Sequence, residues 1–209
     1  MYALSRRKRA VVISFCLTVA ALLIGLDRGF TGPQRSRLRS SRQETIATDS
    51  AQYDRHAFEV VRVVDGDTLH LDVPDRDGRV TKVRLLGIDA PEMGDAQKKP
   101  MYFASEATRF AADLALHKVV TIYLDPTAGS RDKYGRLLAY VELPDGKFLN
   151  EELLLGGYVY ADSRFRHSYY QKYRQLEASA RAVKAGLWAA VTPEQMPAWR
   201  QKTRPDPEE

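Results

Sequence analysis

Cysteine and histidine are scarce in this chain. Its one cysteine, Cys16, lies in an apolar run near the N-terminus, and its 4 histidines are scattered through the sequence. A structural zinc site needs several Cys or His ligands at close spacing, and a zinc-protease helix needs paired histidines, so both classes are excluded. A disulfide framework is excluded because a single cysteine has no partner. Each histidine is more typical of a surface or edge residue: His56, His70, His117 and His167.

The chain also lacks a Gly-Lys-Ser phosphate loop and a dinucleotide-binding glycine fingerprint. These absences argue against a nucleotide switch and a dehydrogenase. What the chain has is 209 residues with 44% hydrophobic and 10% aromatic content, enough for one domain with a packed core. Its formal charge of +5 and its pI near 9.3 favour a polyanionic partner, since Lys and Arg gain by displacing counterions from phosphates.

The N-terminal segment predicts attachment to a membrane. A basic segment, residues 1–9, precedes Ala10–Leu26, a run that is apolar on every face and near the short limit for a membrane-spanning helix. Because small residues are missing just after the run, we interpret it as an uncleaved signal anchor, with a cleaved signal peptide as the alternative. Basic residues stay in the cytoplasm, so we expect the rest of the chain to be exported, either anchored in the periplasm or outside the cell, or secreted after cleavage.

Residues 27–56 are polar, rich in arginine and without an apolar period, which predicts a flexible linker. The folded domain is then expected at residues 57–190. A C-terminal tail follows at residues 191–209, where proline recurs.

Apolar residues alternate with period two at the start of this domain, over Phe58–Val64 and Leu69–Val73, with Asp65-Gly66 between them as a hairpin turn. The further strands expected are Val80–Ile88, Val119–Leu124 and Leu137–Leu143. The helices expected are a stripe from Phe103 to Leu114, a short helix Glu151–Leu155 capped by Asn150, and a longer one from Tyr169 to Val183. Strands come first, without β-α-β alternation. The predicted fold class is therefore α+β, a five-stranded antiparallel OB-type β-barrel with about three packed helices.

Charged residues form three clusters in places where a structural role alone does not require them. Taken singly, each cluster has an ordinary explanation as a hairpin turn, a strand with charged ends or a loop between strands. The clusters are Val64-Asp65-Gly66-Asp67-Thr68, Arg84-Leu85-Leu86-Gly87-Ile88-Asp89-Ala90-Pro91-Glu92, and Asp132-Lys133-Tyr134-Gly135-Arg136.

Taken together, in order and spacing, the clusters resemble the staphylococcal nuclease (thermonuclease) family, and the resemblance runs from about Phe58 to Trp188. It includes the Asn-Glu pair that opens the second helix. The resemblance implies an OB-type barrel that cleaves nucleic acid with Ca²⁺.

The resemblance also implies roles for particular residues. It implies that the carboxylates of Asp67 and Asp89 and the main-chain carbonyl of Ala90 hold calcium. Two arginines would clamp the scissile phosphate, and a glutamate would stand beside the attacking water. These three residues are Arg84, Arg136 and Glu92.

The chemistry needs residues of these types. Calcium prefers hard oxygen ligands and tolerates irregular geometry. Negative charge builds on the phosphoryl oxygens during attack, and a guanidinium matches them with paired hydrogen bonds that lysine cannot copy. Strand alternation places Arg84 opposite Leu85, so Arg84 faces the cleft if Leu85 fills the barrel.

Lys133 and Tyr134 resemble family residues that contact a terminal phosphate, which implies products ending in 3′-phosphate. The family also stacks tyrosines located after the second helix on a base, a contact that tolerates any sequence. The candidates here are Tyr158 and Tyr160, with Arg164 or Phe165 as alternatives. A core or edge role for the two tyrosines is equally open.

The sequence therefore predicts a monomeric, calcium-dependent endo- or exonuclease acting on DNA and RNA, preferably single-stranded or denatured. One alternative is a non-catalytic nucleic-acid-binding barrel of the same family, whose mark would be loss of site residues. Another is an anchored, calcium-dependent adhesion or adaptor module, in which the arginine pair would have no purpose. The residues whose presence opposes the first alternative are Asp67, Arg84, Asp89, Glu92 and Arg136.

Overall fold

The computed structural model describes residues 40–202 of the chain. The chain divides into two units between Ala47 and Thr48; residues 40–47 of the first are helical, and the second contains the barrel. Within residues 40–202, no helix combines the length and the apolar character needed to cross a membrane. The basic segment 1–9 and the apolar run Ala10–Leu26 lie outside the described residues, so the membrane anchor stays a prediction.

The second unit is organised around a closed five-stranded barrel. Its described strands are β1 (Ala57–Asp65), β2 (Thr68–Pro74), β3 (Val80–Leu85), β4 (Ile88–Asp89), β5 (Val119–Leu124), β6 (Leu137–Glu142) and β7 (Tyr160–Ala161). The order round the barrel is β1-β2-β3-β6-β5, while β4 and β7 form a separate two-stranded sheet. The predicted OB-type barrel is confirmed in its strand number and closure.

The prediction of an all-antiparallel barrel is wrong at one pair of strands. β3 and β6 run parallel, from Val83 opposite Leu137 to Leu85 opposite Ala139, while the other barrel neighbours are antiparallel. Strand directions can alternate all the way round a closed ring only if the number of strands is even. Five strands therefore require a parallel pair, and the long crossover that such a pair needs contains a helix and β5.

The third strand ends at Leu85, three residues before the expected end at Ile88. Gly87 follows with φ +79, and a Cβ at this position would collide with the ring of His167. The chain turns out of the barrel here, and β4 pairs with β7. Leu85 fills the barrel at 1% exposure, which confirms the condition for placing Arg84 on the opposite face.

The helices that the sequence predicts are confirmed, with small shifts at their ends. The described helices are α1 (residues 40–53), α2 (Ala104–Ala115), α3 (Leu149–Leu155), α4 (Tyr170–Ala182) and α5 (Ala198–Gln201), with short 3-10 helices at Gly186–Ala189 and Pro193–Gln195. α2 buries a stripe of small residues, Ala104, Ala107, Ala111 and Ala115. Because these alanine side chains are small, α2 can pack close to the barrel.

Asn150 was expected as the cap of the short helix, and this assignment is wrong. The residue lies inside α3, is fully buried, and uses its side chain to bridge separate elements. Its Nδ2 donates to the carbonyl of Leu86 at 3.0 Å, and its Oδ1 accepts from the amide of Val141 at 3.1 Å. Asn150 thus satisfies backbone groups just past the end of β3, where the ladder has stopped.

The predicted flexible linker does not extend as far as residue 56. Residues 40–53 are helical, and within the second unit Tyr53 and Asp49 are fully buried. Asp49 accepts hydrogen bonds from Arg131 Nη2 and Arg76 Nη2, each at 2.8 Å, and from Ser130 Oγ at 2.7 Å. These partners lie 27 to 82 residues further along the chain, so no local pattern reveals them. A carboxylate is stable at this depth because it is paired and hydrogen-bonded.

Asp125 joins the end of β5 to two other parts of the domain. Its Oδ1 accepts from the amides of Thr127 at 2.6 Å and Ala128 at 2.9 Å, and its Oδ2 accepts from Tyr140 Oη at 2.6 Å and the Ser168 amide at 2.7 Å. These bonds, opposing its burial, hold the pKa of Asp125 well below its usual range. Asp125→Asn puts an NH₂ group against these donors, so we expect the free energy of unfolding in urea to fall by about 3 kcal/mol at pH 7.

The sign of the pH dependence follows from the depressed pKa. Stability from the Asp125 carboxylate is present above the unfolded-state pKa of about 3.9 and is lost as pH falls toward the lower folded-state value. The gap between the unsubstituted protein and Asp125→Asn should therefore be constant above about pH 5 and shrink in acid. Asp72→Asn, at an exposed strand position, serves as the control and should change stability by less than about 0.5 kcal/mol. Equal stability of both variants would contradict the role of Asp125.

Candidate active site

Charged side chains from three separated segments meet at one end of the barrel. Asp67 lies in the turn between β1 and β2, Arg84 near the end of β3, and Asp89 in β4. The Arg84 guanidinium forms an ion pair with Asp67 through Nη1 and donates from Nη2 to Asp89 Oδ1 at 2.7 Å. All three side chains are largely buried, at 13%, 8% and 13% exposure for Arg84, Asp67 and Asp89. One guanidinium is thus shared by two carboxylates.

Asp67 is fixed at both of its oxygens. Oδ2 accepts from the main-chain amide of Ala90 at 2.6 Å, and Oδ1 accepts from Thr68 Oγ1 at 3.1 Å. The Asp67 amide donates to Asp65 Oδ1 at 3.0 Å, which brings a second carboxylate close. Burial, and then the charge of Asp65, raise the pKa of Asp67 to about 8, although Arg84 opposes the shift. Burial thus opposes ionisation of Asp67, and the ion pair with Arg84 favours its carboxylate form.

Asp89 has two partners besides Arg84. Arg164 Nη2 donates to its Oδ1 at 2.9 Å, and Trp199 Nε1 donates to its Oδ2 at 2.8 Å. From the sequence, Arg164 is expected only as an alternative base-stacking residue, and no role is expected for Trp199. The only local signal at Trp199 is an aromatic residue two positions after Pro197 in the tail, and nothing there points to Asp89.

Arg136 is linked to this cluster through Thr68. Its Nε donates to Asp132 Oδ2 at 2.7 Å and its Nη1 donates to Thr68 Oγ1 at 3.3 Å, and Thr68 in turn bonds to Asp67. The first bond orients the guanidinium from within its own loop. The second places it at the same end of the barrel as Arg84.

Glu92 follows the cluster in the chain and lies in the same electrostatic field. Burial raises its pKa, and the charges of Asp65 and Asp89 add to the increase, whereas Arg84 and Arg136 lower the pKa. The structure therefore brings Asp67, Arg84, Asp89 and the main-chain amide of Ala90 into direct contact and links Arg136 to them through Thr68, while Glu92 interacts electrostatically with Asp89 and both arginines.

The substrate-contact residues divide into two kinds. Lys133 and Tyr134 lie in the exposed loop that ends at Arg136. Tyr134 is 73% exposed, and Lys133 Nζ lies 4.9 Å from the centroid of its ring. Tyr160 is fully buried in β7 and packs edge-on against Trp188 at 5.5 Å between ring centroids. A base-stacking role for Tyr160 is therefore wrong, because its ring is part of the core.

Tyr158 has one ring face stacked on Phe110, with 4.0 Å between the centroids and 11° between the planes. The neighbouring alternative, Phe165, is 64% exposed and has the Arg164 guanidinium 5.7 Å from its ring. Exposure favours Phe165 over Tyr158 as a surface for a flat ligand.

The donor atoms at this end of the barrel are suited to a hard cation. Among residues 40–202, no group of three or more His, Cys, Asp or Glu side chains is arranged as a ready-made metal site. Burial is the main cause of the raised pKa of Asp67 and Glu92, and the carboxylates of Asp65 and Asp89 add repulsion to it. A bound cation would relieve this repulsion, and oxygen donors without nitrogen or sulfur suit Ca²⁺, which also accepts water as a ligand.

Comparison with known proteins agrees with this geometry. A family model described as "Staphylococcal nuclease homologue" matches residues 82–190. A thermonuclease of Staphylococcus hyicus is 30% identical over 137 residues, covering 65% of this chain and 78% of that protein. An uncharacterized endonuclease of Escherichia coli O157:H7 is 32% identical over 150 residues, covering 68% of this chain and 84% of that protein.

A third relative, an uncharacterized protein of Methanocaldococcus jannaschii, is 33% identical over 157 residues, covering 65% of this chain and 73% of that protein. The region matched by the family model contains Arg84, Asp89, Glu92 and Arg136, with β5, β6, most of β3 and helices α2 to α4, whereas Asp67, β1 and β2 precede it. The family model and these relatives agree with the closed barrel and with the pairing of Arg84 with two aspartates: the chain belongs to the staphylococcal nuclease homologue family.

Proposed function

We propose that this protein is a calcium-dependent nuclease that hydrolyses phosphodiester bonds in DNA and RNA and leaves 3′-phosphate ends. The observation that carries the proposal is the convergence of Asp67, Arg84 and Asp89 from three segments at one end of the barrel, with Arg136 adjacent. The relatives named thermonuclease and endonuclease support the reaction class.

The carboxylates of Asp67 and Asp89 and the main-chain carbonyl of Ala90 would hold the cation. When bound, Ca²⁺ supplies positive charge against a phosphate oxygen. Arg84 already lies between the two carboxylates, so it is placed to bind the same phosphate from the protein side. Its fork offers two parallel N–H groups, the pattern that a phosphate accepts best.

Arg136 would bind the phosphate as the second arginine. Its bond to Asp132 holds Nε and leaves the end of the guanidinium directed toward Thr68 and the cluster. Two guanidinium groups match the charge that develops on the phosphoryl oxygens during attack. Lys133 and Tyr134, exposed in the same loop, are assigned to contact a terminal phosphate.

Glu92 would receive the proton of the attacking water. Its pKa is raised mainly by burial, with repulsion from Asp65 and Asp89, which makes it a stronger base than an ordinary glutamate when deprotonated. A non-catalytic binding module of the same family would not need to retain this glutamate beside two arginines and two aspartates.

The proposal is tested with the purified full-length chain in mild detergent. Denatured DNA and RNA should be degraded in millimolar Ca²⁺, and chelation with EGTA should abolish degradation, because the carboxylates then lack their cation. Product ends are identified by their response to a 3′-phosphatase. Magnesium in place of calcium should support little cleavage, since Mg²⁺ demands a stricter octahedral geometry. Binding of nucleic acid without cleavage under every metal condition would instead favour the non-catalytic module.

A further inference from the structure

The C-terminal segment reaches the candidate active site through one side chain. Trp199, in α5, donates its indole N–H to Asp89 Oδ2 at 2.8 Å, although the two residues are 110 positions apart. The Arg164 guanidinium lies 4.7 Å from the Trp199 ring and donates to the other oxygen of the same carboxylate. The indole and the two arginines at Asp89 therefore define the orientation of this carboxylate.

A buried ion pair holds the C-terminal segment in place. Arg200 Nη2 contacts Glu177 Oε2 at 2.7 Å, and the two side chains are only 18% and 9% exposed. Glu177 Oε1 accepts from the amide of Ala161 at 2.9 Å, in β7. Since β7 pairs with β4, the segment is fastened to the strand pair that carries Asp89. Trp199 and its acceptor thus belong to one connected structure.

We propose that Trp199 is a positioning residue that orients the Asp89 carboxylate for cation binding. The inference rests on the proposed function, in which Asp89 is a calcium ligand. A carboxylate has about four acceptor sites. Among the described residues, Arg84 and Arg164 donate to Oδ1 and Trp199 donates to Oδ2. One Oδ2 site is left for a cation, and its direction is fixed because the carboxylate is held at both ends.

Hydrogen-bond partners behind a metal ligand commonly contribute 10–100-fold to metal affinity. Trp199→Phe removes the N–H donor but keeps an aromatic ring under Arg164. We expect this variant to bind Ca²⁺ about 10-fold more weakly in isothermal titration calorimetry with the metal alone. Arg200→Gln, which leaves the indole intact but removes its anchor, should weaken binding in the same direction.

The second tryptophan provides the matched control. Trp188→Phe should leave the calcium affinity unchanged, because phenylalanine keeps an aromatic ring against Tyr160, Arg181 and Arg200, so the anchor of Trp199 is preserved, and Trp188 has no hydrogen bond to Asp89 to lose. In this variant Trp199 is the remaining tryptophan of the chain, so its fluorescence should change during a calcium titration with the midpoint found by calorimetry.

The outcomes separate the two proposals. If the unsubstituted protein binds calcium and cleaves nucleic acid while Trp199→Phe has the same affinity, the positioning role is overturned and the nuclease assignment stands. Tighter binding by Trp199→Phe would also overturn it, since the indole would then compete with the cation. If the unsubstituted protein neither binds calcium nor cleaves, the proposed function fails, and the role of Trp199 fails with it. Thermal melting confirms that each variant is folded.

Discussion

Replacing Arg136 by lysine is expected to lower the rate of nucleic-acid cleavage by about 10³-fold with little effect on stability. Lysine keeps the charge but loses the planar fork, so it cannot bond to Asp132 and reach the phosphate from fixed positions. The side chain is 27% exposed, lysine keeps a positive charge near Asp132, and Asp132 keeps its bonds from the main-chain amides of Tyr134 and residue 136, so stability should change little. The measurement is the single-turnover rate in saturating Ca²⁺, together with the melting temperature.

Arg79→Lys is the matched control. Arg79 is 80% exposed in the turn between β2 and β3, where its ion pair with Asp77 is also exposed, and its replacement should leave the rate unchanged. A rate for Arg136→Lys within about 10-fold of the unsubstituted protein would show that Arg136 serves only its own loop.

Arg84 is less suitable for this test. It is shared by two nearly buried carboxylates, so its replacement leaves both without their common partner. Loss of one member of a buried ion pair costs about 3–5 kcal/mol, which would unfold part of the population as well as removing the phosphate contact. The sequence treats the two arginines as equivalent; the structure separates them by burial.

Local patterns predict the parts of this fold that depend on neighbours in the chain. The hairpin at Asp65-Gly66 and the apolar stripe of α2 follow from alternation and helical spacing. The convergence of Asp67, Arg84 and Asp89 was expected from the family resemblance. The need for a parallel pair was predictable too, because it follows from an odd number of strands in a closed barrel, but that count does not identify β3 and β6 as the pair.

Contacts between distant segments set the limit of prediction. Asp49 lies in a polar segment whose composition predicts a linker. Its buried position depends on Arg131, which is 82 residues away in the chain. Tyr160 was a candidate for base stacking because tyrosine suits that role. In the structure it lies in β7, which pairs with β4, and its side chain is buried in the core. Trp199 is the reverse case, a functional candidate that the sequence did not suggest. No motif in its own segment indicates a role, and only the folded chain brings its N–H to Asp89.

Replacing Glu92 by glutamine is expected to reduce the cleavage rate by about 10²–10⁴-fold. The amide keeps an oxygen that accepts a hydrogen bond, so it can still orient a water molecule, but it cannot take the proton of that water at neutral pH. The variant therefore separates proton transfer from water ordering. The single-turnover rate in saturating Ca²⁺ is the measurement, and Glu106→Gln, at an exposed position in the first turn of α2, is the control.

The size of the loss decides the role of Glu92. A decrease below about 10-fold would mean that ordering the water is sufficient and that the proton leaves by another route. Calcium affinity distinguishes a third role, since Glu92→Gln should bind the cation nearly as well as the unsubstituted protein if only Asp67, Asp89 and Ala90 hold it. Burial and the repulsion from Asp65 and Asp89 that raise the Glu92 pKa are the features expected of a proton acceptor beside a cation site. A large rate loss at unchanged calcium affinity is therefore the result that this arrangement predicts.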